Sequence, residues 1–444
     1  MPRIKPFNGI RYNPDRISAM ADVVSPPYDV ISAKEQAELY KRSPYNIIRL
    51  ELGEKRPGDD PHDNPHTRAG QYLRDWLKDG TLLQEQTPAV YLTATEFTME
   101  GAKHTRWGLM ASVGLEPFQQ GGILPHEHTY SKVKSERLSL MHACRTNLSP
   151  IFAFFSDEHR TMPQLISHAS TRPPAIDFQE DRWHRHRMWV IREPELHRLI
   201  ATDLAQQTIY IADGHHRYET ALAYRDALAA SRAELPPNHP ANYTLMYLSS
   251  VQDPGLMILP AHRLLPKVAP AMRRSFLERA RLFFKVQPLA TAHGQNLSPD
   301  DLLARLGQTE PGAALAVALR DAEAPLLLEL LPGKRASLYP TTTPEVMKDI
   351  DVTLLTDFIF PEILGLSRDQ LDDVDCVHYN HAAQAALDGV ASGGYDMAFI
   401  IKPTPIDAVQ RIAAAGHVMP RKTTYFAPKV ITGLVMHALG RIAG

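Results

Sequence analysis

The stretch Tyr210-Ile211-Ala212-Asp213-Gly214-His215-His216-Arg217 joins an apolar run to a segment with helical spacing. Residues 208–212 predict a short buried strand, and residues 218–230 predict a helix. Glycine permits a tight turn between the two elements. The stretch therefore predicts a strand-to-helix junction, where the free N–H groups of the first helical turn attract anions.

The side chains of this junction suit the handling of phosphate. Arg217 can fork onto phosphate oxygens, and His215 or His216 can donate or shuttle protons near neutral pH. Asp213 can cap the helix, bind Mg²⁺ or position a hydroxyl. A plain turn with a helix cap, and with solvated side chains on the first turn, explains the same residues. The motif alone leaves both interpretations open.

A second polar stretch runs from Leu124 to Thr129 and is followed by Lys132, Lys134, Glu136 and Arg137. Its carboxylate, Glu127, lies among basic groups and is a candidate general base. An ordinary charged loop ahead of a helix is the simpler interpretation. The stretch is not the zinc-binding pattern H-E-x-x-H, because Tyr130 stands at the second histidine position.

A third stretch, residues 419–429, places three cations, two threonines and two aromatic residues between prolines. Lys422 and Lys429 are the candidates here for binding a phosphate or a nucleotide. A solvated loop would have a similar composition.

The cysteines indicate neither a disulfide framework nor a zinc ribbon. Cys144 and Cys376 are far apart and form no C-x-x-C pattern. Cys376, His378 and His381 lack an evident fourth ligand, so we set a metal site aside there.

Charge and composition restrict the class of partner. Lys plus Arg number 48 and Asp plus Glu number 50, so no global field attracts nucleic acid or an acidic membrane. The first residues are too polar for a signal peptide, and no run approaches the roughly 18 apolar residues of a membrane span. We expect a soluble, cytoplasmic protein that acts on a small molecule without nucleic-acid or membrane partners. A homo-oligomer remains possible.

The length of 444 residues predicts more than one structural unit. Alternating helix-like and strand-like segments predict a mixed α/β (α+β) fold. We expect a main domain over 1–265 that carries the junction, a smaller α/β subdomain over 266–345, and a C-terminal segment over 346–444 that packs back on the main domain. A final helix is predicted from Ile431.

Several motifs occur together along nearly the whole chain: ADVVSPPYDVI, LPHEHTYSKVKSERL, NLSPIF, YIADGHHRYETAL, LPAHRLL and MPRKTTYFAPK. Their combination and order resemble the bacterial family called domain of unknown function 1015. That family lacks a settled activity, so the resemblance implies relatives without implying a substrate.

The Asp-Gly-His-His-Arg turn also resembles the phosphate-binding turn of the ParB/sulfiredoxin superfamily, which includes a free-serine kinase. This local resemblance implies a ParB/sulfiredoxin-like core around the junction. It also implies that Gly214, His215, His216 and Arg217 hold phosphate, with Asp213 near the transferred group or a metal. Sulfiredoxin chemistry is not expected, because no cysteine lies beside the turn.

Our leading hypothesis is a phosphotransferase that acts on a small hydroxyl-bearing metabolite such as serine, with ATP, ADP or pyrophosphate as donor. Arg217 and the local N–H groups, helped by Lys422 or Lys429, would hold the donor, and Mg²⁺ would join its phosphates to Asp213. Glu127 or His216 would take the proton of the acceptor. The alternatives are a nucleotide-binding switch of the ParB type and a phosphohydrolase.

Overall fold

The computed structural model describes residues 1–99, 101–127, 131–232, 235–290, 297–373 and 375–442. Its chain divides into two compact units. Unit 1 comprises Met1–Met257 and Pro428–Gly444, and unit 2 comprises Ile258–Ala427. The chain therefore leaves unit 1 once and returns to it once.

Unit 1 contains twelve described strands in the part of the chain that precedes unit 2. They are β1 (Ile4–Lys5), β2 (Gly9–Tyr12), β3 (Leu82–Gln84), β4 (Val90–Met99), β5 (Ala102–Gly114), β6 (Ile123–Leu124), β7 (Thr146–Asn147), β8 (Ile151–Phe155), β9 (Ile176–Gln179), β10 (His184–Ile191), β11 (Ile209–Asp213) and β12 (Tyr243–Ser250). The larger sheet has the order β6-β11-β8-β12-β5-β4-β10-β9, with β1 paired to β5.

Helices cover this sheet and the smaller sheet of unit 1. They are α1 (Ala33–Arg42), α2 (Ile48–Glu51), α3 (Pro65–Lys78), α4 (Ser131–Cys144), α5 (Thr161–Ala169), α6 (Pro194–Leu204) and α7 (His215–Arg232). Local capping fixes two of their starts: Ser32 and Glu35 form a capping box on α1, and Asn64 and Thr67 form one on α3. None of the described helices is long and apolar enough to cross a membrane.

The middle of the larger sheet is apolar on both faces. Every residue of β8 and β12 is buried, which is typical of strands with other elements packed on each side. On α7, Tyr218, Ala221 and Tyr224 recur every three residues and pack into the same core. The start of α7 is thereby held at the edge of the sheet where β11 ends.

Unit 2 has its own sheet and core. Its described strands are β13 (Met257–Leu259, beginning at the boundary), β14 (His262–Leu265), β15 (Phe284–Pro288), β16 (Ala314–Leu319), β17 (Leu326–Leu330), β18 (His378–Asn380), β19 (Met397–Ile400) and β20 (Tyr425–Ala427). Its helices are α8 (Pro270–Ala280), α9 (Pro299–Gly307), α10 (Arg335–Leu338), α11 (Asp351–Thr353), α12 (Arg368–Asp372), α13 (Ala383–Ala391) and α14 (Ile406–Ala414), with a π-helical segment over Leu354–Ile363. The sheet order is β15-β17-β16-β19-β14-β18.

The fold is mixed α+β, as the sequence predicted. The boundaries of the units differ from those expected at residues 265 and 345. Strand β19 pairs with both β14 and β16, so most of the segment after residue 345 completes the sheet of unit 2 rather than forming a separate layer on unit 1.

The prediction of a final helix from Ile431 is wrong. The segment forms strand β21 (Met436–Ala438), which pairs with β2 and β7 in a small sheet of unit 1. Ile431, Leu434 and Val435 are all buried, so the segment has no polar face to expose as a surface helix would. Gly433 has φ +107°, which also interrupts helical geometry.

We expect Gly108→Ala to destabilise unit 1. A Cβ atom at Gly108 on β5 would lie 2.0 Å from Cζ of Tyr247, and Tyr247 is fully buried on the neighbouring β12. Overpacking of this kind typically costs about 1–3 kcal/mol. Tryptophan fluorescence during urea unfolding measures the effect, because the 4 tryptophans all belong to unit 1.

Gly307→Ala is the control. Gly307 ends helix α9 in unit 2, and a Cβ atom there would meet no atom within 4 Å. The tryptophan-monitored midpoint should be unchanged in this variant. An unchanged midpoint in Gly108→Ala would contradict the packing of Tyr247 over β5.

Candidate functional site

The candidate site is built around the carboxylate of Asp213, the last residue of β11. Its Oδ2 accepts a hydrogen bond from Arg217 Nη2 at 2.7 Å, and its Oδ1 accepts one from Lys429 Nζ at 2.8 Å. Burial by itself would raise the pKa of Asp213, but the charges of Lys429 and Arg217 together hold that pKa well below its usual range. The group is a carboxylate shared between two cations.

Gly214 makes the turn between β11 and α7. Its φ of +95° lies in the left-handed region, and a Cβ atom there would lie 2.8 Å from Arg217 Nε. The guanidinium of Arg217 therefore packs against the backbone of the turn. Its Nη1 donates to the carbonyl of Pro150, just before β8, and no described residue accepts from its Nε. Arg217 thus links the start of α7 to the start of the neighbouring strand.

The imidazole of His215 is directed into the protein and contacts His126. The side chain is buried, and its Nε2 accepts the backbone N–H of His126 at 3.3 Å. The neutral ring therefore carries its proton on Nδ1. Burial lowers the pKa of His215 well below its usual value and lowers the pKa of His126 to about 4. The part of His215 suited to an anion at neutral pH is its backbone N–H in the first turn of α7.

His216 and Glu127 lie at the same edge of the sheet as Asp213. Strands β6 and β11 run parallel, so the loop after β6 leaves the sheet beside the junction after β11. Glu127 is half-buried in that loop, and His216 is half-buried on the first turn of α7. Residues 128–130 and the side chains of Lys132 and Lys134 lie outside the described part of the chain.

Lys429 is placed by a buried arginine that the sequence analysis did not single out. Arg106 is 0% exposed, and its Nη1 donates to the carbonyl of Pro428, the residue before Lys429. Its Nε donates to the hydroxyl of Tyr247 at 3.1 Å, and its guanidinium lies 4.7 Å from the ring centre of Phe152. The segment that returns from unit 2 is therefore anchored next to the lysine that reaches Asp213.

The predicted pair Lys422 and Lys429 is divided between the units. Lys422 belongs to unit 2, where it has a positive φ of 54° and its carbonyl accepts from Arg263 Nη2 at 3.0 Å. Among the predicted site residues, unit 1 therefore contains Asp213, Gly214, His215, His216, Arg217, Glu127 and Lys429. Hydrogen bonds join Asp213 to Arg217 and Lys429.

A cleft that is open to solvent adjoins Arg217 in unit 1. Its charged lining consists of Arg217, Arg137 and Glu51. The carboxylate of Glu51 accepts through one oxygen, Oε1, from Arg137 Nη1 at 3.1 Å and from Ser149 Oγ at 3.0 Å. The guanidinium of Arg137 also lies 4.1 Å from the ring centre of Tyr28. The cleft therefore joins four separate chain segments around one buried ion pair.

Sequence reasoning gave no role to several of these residues. Tyr28 and Ser149 fall in the motifs SPPYDV and NLSP. These motifs supported the family resemblance, but they indicated no role for either residue. Glu51 lies in no quoted motif, and its stretch reads locally as an ordinary amphipathic segment. Only the three-dimensional arrangement places it beside Arg217.

The donor set does not fit a resident Mg²⁺ ion on protein ligands. No three His, Cys, Asp or Glu side chains of the described residues are grouped to hold a metal, and both oxygens of Asp213 already accept from cations. Mg²⁺ usually needs carboxylates together with substrate phosphates. We therefore derive no step through a metal bound to Asp213.

Comparison with known protein families gives a match over most of the chain. Residues 4–353 match the family described as "Protein of unknown function (DUF1015)". The chain belongs to this family. No curated protein matches this DUF1015 chain.

Solved structures show only distant likeness to this DUF1015 chain. A mutant of a free serine kinase in complex with ADP has 11% identity and a TM-score of 0.34, over 74% of this chain and 92% of the other. A conserved hypothetical protein from Pyrococcus furiosus has 12% identity and a TM-score of 0.33, over 74% and 95%. SbnI with C-terminal truncation from Staphylococcus aureus has 11% identity and a TM-score of 0.34, over 72% and 84%. Likeness at this level supports no functional inference.

We expect unit 1 to lose stability as the pH falls from about 6.5 towards 4. His126 and His437 are buried, and burial lowers the pKa of each to about 4, whereas an unfolded histidine titrates near 6.5. The unfolded chain therefore binds protons that the folded chain does not. The stabilising contribution is complete above this window and falls by about 1.4 kcal/mol per pH unit for each histidine within it.

Urea unfolding monitored by tryptophan fluorescence at pH 7.5, 6.0 and 5.0 measures this loss. Proton NMR of the imidazoles is the control, since His126 should remain unprotonated at pH 5.5. A constant free energy of unfolding over this window, or protonation of His126 near pH 6.5, would contradict the expectation that His126 and His437 are buried in their neutral form.

We expect Gly214→Ala to destabilise unit 1 more than Gly58→Ala does. Both glycines have similar positive φ values, +95° and +93°, but only Gly214 packs against a side chain, that of Arg217. Each alanine carries the backbone strain of about 1–3 kcal/mol, and Gly214→Ala must also displace the guanidinium. Equal losses in urea unfolding would show that the contact with Arg217 contributes nothing.

Proposed function

We propose that this DUF1015 protein is a phosphotransferase that moves a phosphoryl group from a nucleotide or pyrophosphate to the hydroxyl of a small metabolite. The observation that carries the proposal is the carboxylate of Asp213, which orients Arg217 and Lys429 at the start of a helix. A cleft lined by both polar and apolar side chains adjoins the same arginine. The motif resemblance of this turn to a phosphate-binding turn points to the same chemistry.

The donor phosphates would occupy the N-terminal end of α7. The first N–H groups of a helix lack intrahelical acceptors and favour anions. Gly214 allows the guanidinium of Arg217 to pack against this turn, and Arg217 and Lys429 supply positive charge. Phosphoryl transfer depends mainly on positioning and charge neutralisation, and these groups would contribute to both.

Asp213 would act by orienting the cations rather than by accepting a proton. Two cations hold its pKa well below its usual range even though burial opposes this, and such a carboxylate is a weak base at neutral pH. Arriving phosphate oxygens would share Arg217 and Lys429 with Asp213. His216 and Glu127, at the same edge of the sheet, remain predicted contacts of the reacting groups.

A nucleotide-binding switch and a phosphohydrolase would use the same anion site. A switch binds the donor without forming a product, and a hydrolase releases phosphate with water as acceptor. Phosphorus-31 NMR distinguishes these cases from transfer, because a phosphate ester of the added alcohol appears only with a phosphotransferase.

We expect Asp213→Asn to lower the rate of transfer at least about 100-fold, because preorganised charge contributes on the order of 3 kcal/mol at such sites. The purified protein is incubated with ATP, ADP or pyrophosphate, with and without serine, glycerol or ethanolamine, with Mg²⁺ present or chelated. Phosphorus-31 NMR follows the products, and thermal shift follows binding of each donor.

Asp177→Asn is the matched control, since Asp177 on β9 also pairs with an arginine, Arg185 on β10, but both of these side chains are exposed. It should retain the wild-type rate. Full activity of Asp213→Asn, or the lack of any thermal shift of the wild-type protein with phosphate compounds, would refute the proposed function.

A further inference from the structure

Glu51 presents an uncommitted carboxylate oxygen in the cleft. The residue is 2% exposed and lines the cleft together with Arg137 and Arg217. Both described hydrogen bonds to its side chain end on Oε1. No described residue donates to Oε2. A buried carboxylate with one unpaired oxygen beside a cavity is a binding group for a hydrogen-bond donor.

The contacts of Glu51 also preorganise it. Arg137 donates from Nη1 to the carboxylate and from Nη2 to the backbone carbonyl of Glu51 at 2.9 Å. Ser149 adds a third hydrogen bond. These hydrogen bonds fix the side chain at the end of α2, and they leave its second oxygen, Oε2, for a ligand.

The rest of the cleft restricts what fits. Four of the residues that line the cleft have apolar side chains: Leu140, Met141, Leu148 and Ile151. The polar groups Thr146 and Thr220 already donate to backbone carbonyls. The cleft therefore suits a small molecule with a short aliphatic part and a donor group directed at Glu51.

We propose that this cleft is the acceptor subsite, and that Glu51 Oε2 receives the hydrogen bond of the acceptor hydroxyl. The proposal rests on the proposed phosphotransferase function and deepens it by naming the acceptor class, a small aliphatic alcohol. It assigns the proton-accepting carboxylate to Glu51 instead of Glu127.

The reaction balances without another reagent. The hydroxyl oxygen forms a bond to the terminal phosphorus of the donor, while the bond from that phosphorus to the bridging oxygen breaks. The electron pair leaves with the shortened donor. The hydroxyl proton passes to Glu51 and then to solvent, which restores the carboxylate. Asp213 is a poorer proton acceptor, because Arg217 and Lys429 occupy both of its oxygens.

The test compares Glu51→Gln, Glu51→Asp and Glu127→Gln with the wild-type chain. The donor probes are ATP, ADP and pyrophosphate, and the acceptor probes are propane-1,2-diol, ethanolamine, serine and glycerol. We expect Glu51→Gln to keep the thermal shift with donor and to reduce kcat for transfer at least about 100-fold, the usual contribution of general base catalysis. Glu51→Asp should restore part of that rate. Glu127→Gln should lose less than Glu51→Gln does.

Glu85→Gln is the matched control. Glu85 is also clamped by arginines, Arg11 and Arg192, but it lies outside the lining of this cleft. It should transfer phosphoryl at the wild-type rate. Circular dichroism and unfolding of Glu51→Gln test whether the fold survives the loss of the ion pair with Arg137, since glutamine keeps an oxygen for Arg137 and Ser149.

Each outcome decides between the two proposals. If donors bind and Asp213→Asn abolishes transfer while Glu51→Gln keeps the wild-type rate, the acceptor subsite is refuted and the phosphotransferase stands. Loss of activity in Glu127→Gln alone has the same meaning. If the folded Glu51→Gln loses transfer but retains donor binding, the subsite is supported. If no donor shifts the wild-type protein, the proposed function fails, and this proposal fails with it.

Discussion

The arrangement of the candidate site depends on one carboxylate that two cations share. Arg217 comes from the helix directly after Asp213, whereas Lys429 follows more than two hundred residues later, after the chain has formed the whole of unit 2. Removing Asp213 would leave two largely buried cations close together without their common partner, which is costly. The contact between Asp213 and Lys429 therefore joins the two chain segments that form unit 1, and it sets the balance of charge at the site.

Buried hydrogen bonds extend this constraint in two directions. Arg106 holds the carbonyl of Pro428, so the position of Lys429 depends on strand β5 as well as on Asp213. His215 accepts the backbone N–H of His126, so the loop after β6 is fixed to the first turn of α7. The site thus rests on neighbouring strand ends that have little freedom to move independently.

Features set by neighbours in sequence were predictable. Helix α1 begins after the Ser32 capping box and ends at Ser43, whose backbone is extended, and both are local signals. Strand β10 carries a basic run whose side chains have acidic partners: Arg185 pairs with Asp177, His186 with Glu180 and Arg187 with Glu96. The Asp213–Gly214 turn was likewise predicted from its residues.

Features set by tertiary contacts were not. The last segment contains an apolar run whose spacing does not distinguish a buried strand from a helix. The segment becomes a strand because it pairs with β2 and β7. Glu51 and Arg106 have no local signal, because their roles arise from burial beside distant segments. Lys422 and Lys429 are seven residues apart in one motif, yet they belong to different units.

Two buried carboxylates of unit 1 differ in the contacts of their oxygens, and this difference suggests a division of roles. Both oxygens of Asp213 accept from cations, which makes it an electrostatic anchor. The described contacts of the Glu51 side chain are confined to Oε1, which leaves its other oxygen for a ligand. Enzymes commonly assign separate functions to two acids through such differences in environment. Arg217 donates to Asp213 and also lines the cleft beside Glu51, so the proposed function treats the cleft and the helix terminus as parts of a single site.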